Sequence, residues 1–170
     1  MSEANEAEEA GPVRILKAPI SLDYQYSAGR SGSRLLRAIA EGRLLGQRCP
    51  VDGRVYFPSR GSCPQHGVTF GDEVVELSDE GTVVTFSIVR VPSENIPLEL
   101  PYVTVNVLLD GADTILMHVL DADLESVHMG MRVKAVWKPK EEWTTSIANI
   151  LYFRPTGDPD ADYDSYKEHI

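Results

Sequence analysis

The chain has no apolar run near the roughly 20 residues that a membrane-spanning helix needs. Its opening, Met1-Ser-Glu-Ala-Asn-Glu-Ala-Glu-Glu-Ala10, has neither the basic stretch nor the apolar stretch of a secretory signal. No membrane partner is expected, and the cytoplasm is the expected location. Cysteine is nearly absent, with two in 170 residues. Cys49 and Cys63 each open a Cys-Pro-x-(Asp/His)-Gly frame, a poor basis for a disulfide framework and a better one for metal ligation. Positive charge is in deficit. Sixteen Lys and Arg against 26 Asp and Glu leave a net charge of -10, which argues against wrapping a phosphate backbone, so no nucleic acid partner is expected. Catalytic signatures are missing too: the sequence has no nucleophile elbow, phosphate loop or paired-carboxylate pattern. Of the four histidines, His66, His118, His128 and His169, His118 stands between Met117 and Val119, where a structural role fits better than a general base. The chain is not expected to be an enzyme by itself.

What is present describes a globular protein, with 42% hydrophobic and 25% charged residues. The length suits one main core with a small appended module. Charge is uneven. Arg30, Arg34, Arg37, Arg43, Arg48, Arg54 and Arg60 cluster against only Glu41 and Asp52, leaving room for a local site for an anionic ligand.

Five segments follow along the chain. Residues 1–17 and 156–170 read as disordered acidic tails, although Tyr163 and Tyr166 could dock on a partner. Residues 18–45 read as an extended stretch followed by an amphipathic helix. Ser33 would cap it, Leu35, Leu36, Ile39 and Ala40 would share one face, and Gly42 would end it. That face could pack on the chain's own barrel or on another subunit, which makes Leu35, Leu36 and Ile39 candidate interface residues. Residues 46–68 hold the two cysteine frames.

From residue 69 to 155 the period is two. Val84, Phe86 and Ile88 are expected on one face, as are Val103, Val105 and Val107. Asp110-Gly-Ala-Asp113 reads as a hairpin turn into Thr114–Leu120. Residues 130–137 and 146–153 supply two more strands, and the proline-rich 92–101 should be a loop at a barrel mouth. The fold class is therefore mainly β. Five strands in so short a span suit a closed barrel of the OB type, with a β-sandwich as the alternative.

The sharpest local pattern is Cys49-Pro-Val-Asp52 followed after ten residues by Cys63-Pro-Gln-His66. Two residues between ligands let one tight turn aim both side chains at a single ion, and two such turns supply four donors, an arrangement that suits zinc. Cys, Asp, Cys and His is an unusual set for structural zinc. Asp52 could instead be a turn residue, three ligands could hold the ion weakly, or the ribbon could stand without metal.

The order Leu35-Leu-Arg-Ala-Ile-Ala-Glu-Gly42, Gly46-Gln-Arg-Cys49-Pro50, Val55-Tyr-Phe-Pro58-Ser-Arg60-Gly-Ser-Cys63-Pro64, Gly81-Thr-Val-Val-Thr-Phe86, Leu109-Asp-Gly-Ala-Asp113 and Gly130-Met-Arg-Val133 resembles the zinc-ribbon and OB-fold acyl-coenzyme A-associated proteins, once catalogued only as a domain of unknown function. The resemblance covers roughly residues 18–155. It implies an N-terminal helix, a small rubredoxin-like zinc-ribbon-type module over 46–68 and a five-stranded OB-fold barrel over 69–155. It also implies an accessory subunit of a thiolase-like or lipid-transfer-protein-like enzyme, for example in steroid side-chain degradation, or else of an acyl-coenzyme A hydratase, in a hetero-oligomer that shares acyl-coenzyme A as substrate. The family's four cysteines fall on Cys49, Asp52, Cys63 and His66, so two positions differ. Arg34, Arg37 and Arg60 would be the contacts to coenzyme A phosphates. The competing expectations are a stand-alone OB-fold nucleic-acid binder, for which the acidic chain lacks a basic, aromatic-studded face, and an independent enzyme acting on an acyl thioester.

Overall fold

Val103, Val105 and Val107 alternate with polar residues along one strand, and all three are buried in the computed structural model, which describes residues 20, 22–23, 25–93 and 96–170. The elements in chain order are a helix α1 (Gly29–Ile39) and eight strands: β1 (Leu44–Arg48), β2 (Val55–Tyr56), β3 (Val74–Leu77), β4 (Glu80–Val89), β5 (Tyr102–Leu109), β6 (Ile115–Leu120), β7 (Arg132–Trp137) and β8 (Ile150–Pro155). The last five close into a barrel in the order β4-β5-β6-β8-β7, with β7 returning to pair with β4. Only β6 and β8 run parallel, through Leu120 and Phe153. Closure leaves these strands no free edge, which removes the template for pairing with other chains. The remaining three strands form a small sheet, β2-β1-β3.

Two local features shape the barrel. A register shift between Val83 and Thr85 turns β4, so Val83 and Val84 are both fully buried while Phe86 is exposed. The expected common face of Val84, Phe86 and Ile88 is corrected accordingly, because a bulge breaks period-two alternation. At the β5–β6 hairpin, Gly111 takes a φ of +90°, and the Ala112 N–H donates to the Leu109 carbonyl at 2.9 Å. Residues 146–149, expected to open the last strand, instead form a 3-10 turn over Ile147–Asn149 before β8 begins. β1 and β3 did not stand out in the sequence. Leu44, Leu45, Gly46 and Gln47 are buried in succession, so β1 is covered on both faces and shows no alternation.

The helix begins four residues before Ser33, at Gly29, whose N–H donates to the Ser27 hydroxyl at 3.3 Å. Ser33 therefore lies inside it. Burial of the apolar stripe extends the helix through weak helix formers. That stripe is covered by the chain itself: Leu35 and Ile39 belong to the same core as Leu44, Phe57, Val105 and Phe153. Asn149, with no exposed surface, donates from Nδ2 to the Ile39 and Thr144 carbonyls and accepts the Thr144 N–H, which fixes the end of α1 to the loop before β8. Leu35 and Ile39 thus pack on the chain's own core, one of the two placements expected for them, and Leu36 is half-buried.

The small sheet is fastened to the barrel through the β5–β6 turn. Asp113 accepts the Val55 N–H on its carboxylate and donates its own N–H to the Val55 carbonyl, both at 2.7 Å. The Thr114 hydroxyl accepts from the Phe57 N–H and donates to the Phe57 carbonyl, both at 2.8 Å.

Residues 156–170, expected as a solvated tail, remain mostly exposed but carry local structure and one buried side chain. They form 3-10 turns over Tyr163–Ser165 and Lys167–His169, and Tyr166 is buried beside Gly130. Tyr166 supplies the anchorage that the acidic composition conceals, and the exposed Tyr163 meets it edge to face at 5.5 Å. Residues 1–17, expected as an acidic tail, lie outside the described residues, as do 18, 19, 21 and 24, and Ile20, Leu22 and Tyr26 are exposed. Among the described residues, no helix is long and apolar enough to cross a membrane.

Candidate metal centre

Two matching turns build the centre. In the first, the Cys49 N–H donates to the Arg54 carbonyl at 2.8 Å and the Gly53 N–H donates to the Cys49 carbonyl at 3.0 Å. In the second, the Cys63 N–H donates to the Val68 carbonyl at 2.8 Å and the Gly67 N–H donates to the Cys63 carbonyl at 2.9 Å. Gly53 and Gly67 adopt φ of +76° and +64°, a region that side-chain-bearing residues rarely enter, so the glycine after each pair lets the chain reverse.

The turns converge. His66 Nδ1 lies 3.5 Å from Cys49 Sγ and 3.3 Å from Cys63 Sγ, and the three donor atoms all fall within 4.8 Å of one another. Both cysteines are buried. Asp52 stands beside them, with Oδ2 3.8 Å from His66 Nδ1 and Oδ1 accepting the Arg54 N–H at 3.1 Å. The Tyr56 hydroxyl is hydrogen-bonded to Cys63 Sγ at 3.4 Å, and its ring packs on Phe70 at 5.3 Å. Cys49, Tyr56, Cys63 and Phe70 make a second, much smaller hydrophobic cluster apart from the main core. So little apolar surface would hold two turns together weakly, and a shared ion would act as a cross-link.

The electrostatics separate the two thiols. Burial pushes the Cys63 thiol up, but hydrogen bonds from the Tyr56 hydroxyl, the His66 backbone and side chain, and Cys49 outweigh it and bring it down to about 6. Burial dominates at Cys49, whose thiol is raised. The hydrogen bond to Cys63, followed by burial, raises the Tyr56 hydroxyl to about 12, which keeps it a proton donor. Burial raises the Asp52 carboxyl, yet the Arg54 N–H, the Cys49 thiol and the neighbouring His66 and Arg54 side chains leave it below the ordinary carboxylate range. Thiolate sulfur and imidazole nitrogen are the donors that suit zinc, and a buried pair with one thiol readily ionised fits such an ion. Tyr56 carried no sequence signal for its part, because nothing in Val55-Tyr-Phe-Pro58 tells where the hydroxyl points.

The other expected site residues divide. Arg34 and Arg60 line one cavity of about 790 Å³ between α1 and the ribbon, together with Arg30, Leu36, Phe70 and Asp72, whereas Arg37 is exposed on α1 and outside it. Arg34 pairs with Asp72 at 2.7 Å. His118 packs against Phe153 at 5.6 Å, its Nδ1 is buried without a hydrogen-bond partner, and burial lowers its pKa.

Residues 74–138 match the family model described as ChsH2, C-terminal OB-fold domain. A DUF35 domain-containing scaffold protein of Methanocaldococcus jannaschii is 36% identical over 114 residues, covering 66% of this chain and 81% of its relative. One from Pyrococcus furiosus, under the same description, is 33% identical over 116 residues, covering 66% and 83%. Among solved structures, a chain of the Ltp2-ChsH2(DUF35) aldolase superposes with a TM-score of 0.56 at 25% identity, covering 77% of this chain and 98% of that one. A DUF35-family protein of unknown function from Sulfolobus solfataricus shares the fold with a TM-score of 0.55 at 19% identity, covering 75% and 84%.

Proposed function

The chain belongs to the DUF35 family of scaffold proteins, and from that premise we propose that it is a non-catalytic subunit of a thiolase-like or lipid-transfer-protein-like enzyme acting on acyl-coenzyme A, a thiolase or a retro-aldolase. The observation that carries this reading is the likeness, over 98% of its length, to a chain of the Ltp2-ChsH2(DUF35) aldolase, together with curated relatives described as scaffolds. The catalytic groups then belong to the partner. The barrel and ribbon stabilise that partner, and the arginines beside the ribbon, Arg34 and Arg60, assist in holding acyl-coenzyme A by its phosphates. Arg37, on the exposed side of α1, would serve only if the ligand or partner extends over that face. The complex works in the cytoplasm.

Zinc bound by Cys49, Cys63 and His66, with Asp52 at hand as a fourth donor, would supply a structural cross-link between the two turns and no chemistry of turnover. The chain's own residues prepare that role: Tyr56 stabilises the Cys63 thiolate, and the paired glycines set the turns. The functional test is thioester turnover by the partner enzyme with and without this chain. The expected result is no turnover by the chain alone and a loss of partner activity or lifetime without it. Turnover by the purified chain, abolished by a single substitution, would overturn the reading.

A further inference from the structure

Two sulfurs and one imidazole nitrogen are spaced as ligands of a single ion. Cys49 Sγ and Cys63 Sγ stand 3.5 Å and 3.3 Å from His66 Nδ1, and tetrahedral ligands bonded to zinc at about 2.0–2.3 Å lie about 3.3–3.8 Å apart. Among the described residues these donors form the one such cluster, all within 4.8 Å of one another, and Asp52 is not in it. A structural zinc ion takes four ligands, so the chain fixes three and the fourth falls to Asp52 or to a donor from outside. Asp52 is not free to fill it. Its Oδ1 accepts the Arg54 N–H at 3.1 Å, and Arg54 Nε stands 3.8 Å from Oδ2. With the Gln65 amide turned so that its nitrogen faces the carboxylate, Gln65 donates to Asp52 Oδ2 at 3.3 Å and accepts from Arg54 Nη1 at 3.1 Å. A carboxylate engaged at both oxygens gives up partners when it binds an ion, and beside two sulfurs a further soft donor suits that ion better than oxygen. The approach is open on this side: Cys49 and Cys63 are each 1% exposed, whereas the side chains of Asp52 and His66 are 24% and 31% exposed. The Arg54 guanidinium stands there to offset the charge of an incoming anion.

We infer that Cys49, Cys63 and His66 are the fixed ligands of this centre and that its fourth position is an exchangeable site for a small thiol, with Asp52 as a displaceable occupant. The exchange forms one sulfur–metal bond, releases the thiol proton to solvent and returns the Asp52 carboxylate to Arg54 and Gln65; nothing is oxidised or reduced. The inference deepens the metal reading of the centre and rests on it, and it is independent of the scaffold role.

The test is titration of the metal-free full chain with cobalt(II), a coloured stand-in for zinc, under nitrogen, followed by 2-mercaptoethanol and read by absorption. One cobalt per chain, with the intense visible bands of a tetrahedral site, is expected. The thiol should then shift those bands saturably and raise the sulfur-to-cobalt charge-transfer absorption by about half, since three thiolates replace two. The cobalt should stay with the chain through gel filtration. Asp52→Asn keeps an oxygen to accept the Arg54 N–H but removes the carboxylate. It should weaken cobalt binding by less than about threefold, against the tenfold or more that loss of a bound ligand costs, and should take up the thiol at least as tightly as the wild type. Bands unmoved by the thiol, cobalt carried off by it, or cobalt binding weakened about tenfold in Asp52→Asn overturns the exchangeable site and leaves the metal centre standing. No cobalt bound by the wild-type chain removes the metal reading and the inference with it.

Discussion

A methyl group added to Gly81 would sit against the Leu108 carbonyl oxygen and 2.8 Å from Val107 Cγ1, where β4 pairs with the end of β5. Backbone cannot yield as a flexible side chain can, so Gly81→Ala should lower stability by about 2–4 kcal/mol, read from urea unfolding. At the metal centre, Tyr56→Phe keeps the ring on Phe70 but removes the hydroxyl bonded to Cys63. Affinity for zinc should fall about tenfold in a chelator competition, with the fold unchanged by circular dichroism. Cys63→Ser should abolish stoichiometric metal, because one thiolate and one imidazole remain of the three clustered donors. At this scale the sequence was legible where chemistry is carried by spacing: Cys49, Cys63 and His66 do converge, and each glycine that follows its pair does reverse the chain. It was silent on Tyr56, Asp113 and Asn149, whose partners lie in distant segments and leave no periodic trace.

Among the elements, α1 is held by few but well-placed contacts. Asn149→Ala would leave the Thr144 N–H without its acceptor and cut the Nδ2 bond to the Ile39 carbonyl, which keeps the Gly42 N–H, and the loss should be about 1–3 kcal/mol, with amide exchange rising first in the last turn of α1. The C-terminal segment should depend on pH. His128 shares its Nε2 with the Asp160 carboxylate at 2.9 Å, and this hydrogen bond, followed by that to the Ser126 carbonyl, raises its pKa above the ordinary histidine value. A group whose pKa is raised by folding stabilises fully below its unfolded value and stops doing so as pH rises through the folded one. Protection factors over residues 157–170, with intrinsic exchange divided out, should therefore be higher near about pH 6 than near about pH 9, and Asp160→Asn should flatten the difference. The barrel strands were legible because alternation reports one buried face, as in β5 and β7. The bulge in β4, the doubly covered β1 and the C-terminal turns around the buried Tyr166 were not, because each obeys tertiary contacts that override local pattern.

In the whole molecule, the main core runs without a break from α1 through the small sheet into the barrel, whereas the cysteine-bearing end keeps its own minor cluster. That division sets a closed barrel beside a cysteine-bearing end where Cys49, Cys63 and His66 cluster, with a cavity between that end and the helix. Of the two expectations for the apolar stripe of α1, the chain's own core or another subunit, the core takes Leu35 and Ile39. Val91, Ile96, Leu98 and Leu100 between β4 and β5 are exposed, and replacing Leu98 and Leu100 by serine tests their part in association without touching the core. The most direct measurement is co-expression with a thiolase-like enzyme encoded beside this chain, followed by size-exclusion chromatography with light scattering. A single peak whose mass requires both chains, with thioester turnover that this chain lacks alone, is the expected result; elution as two separate species at micromolar concentration, with the enzyme equally active and stable without this chain, would contradict the scaffold role.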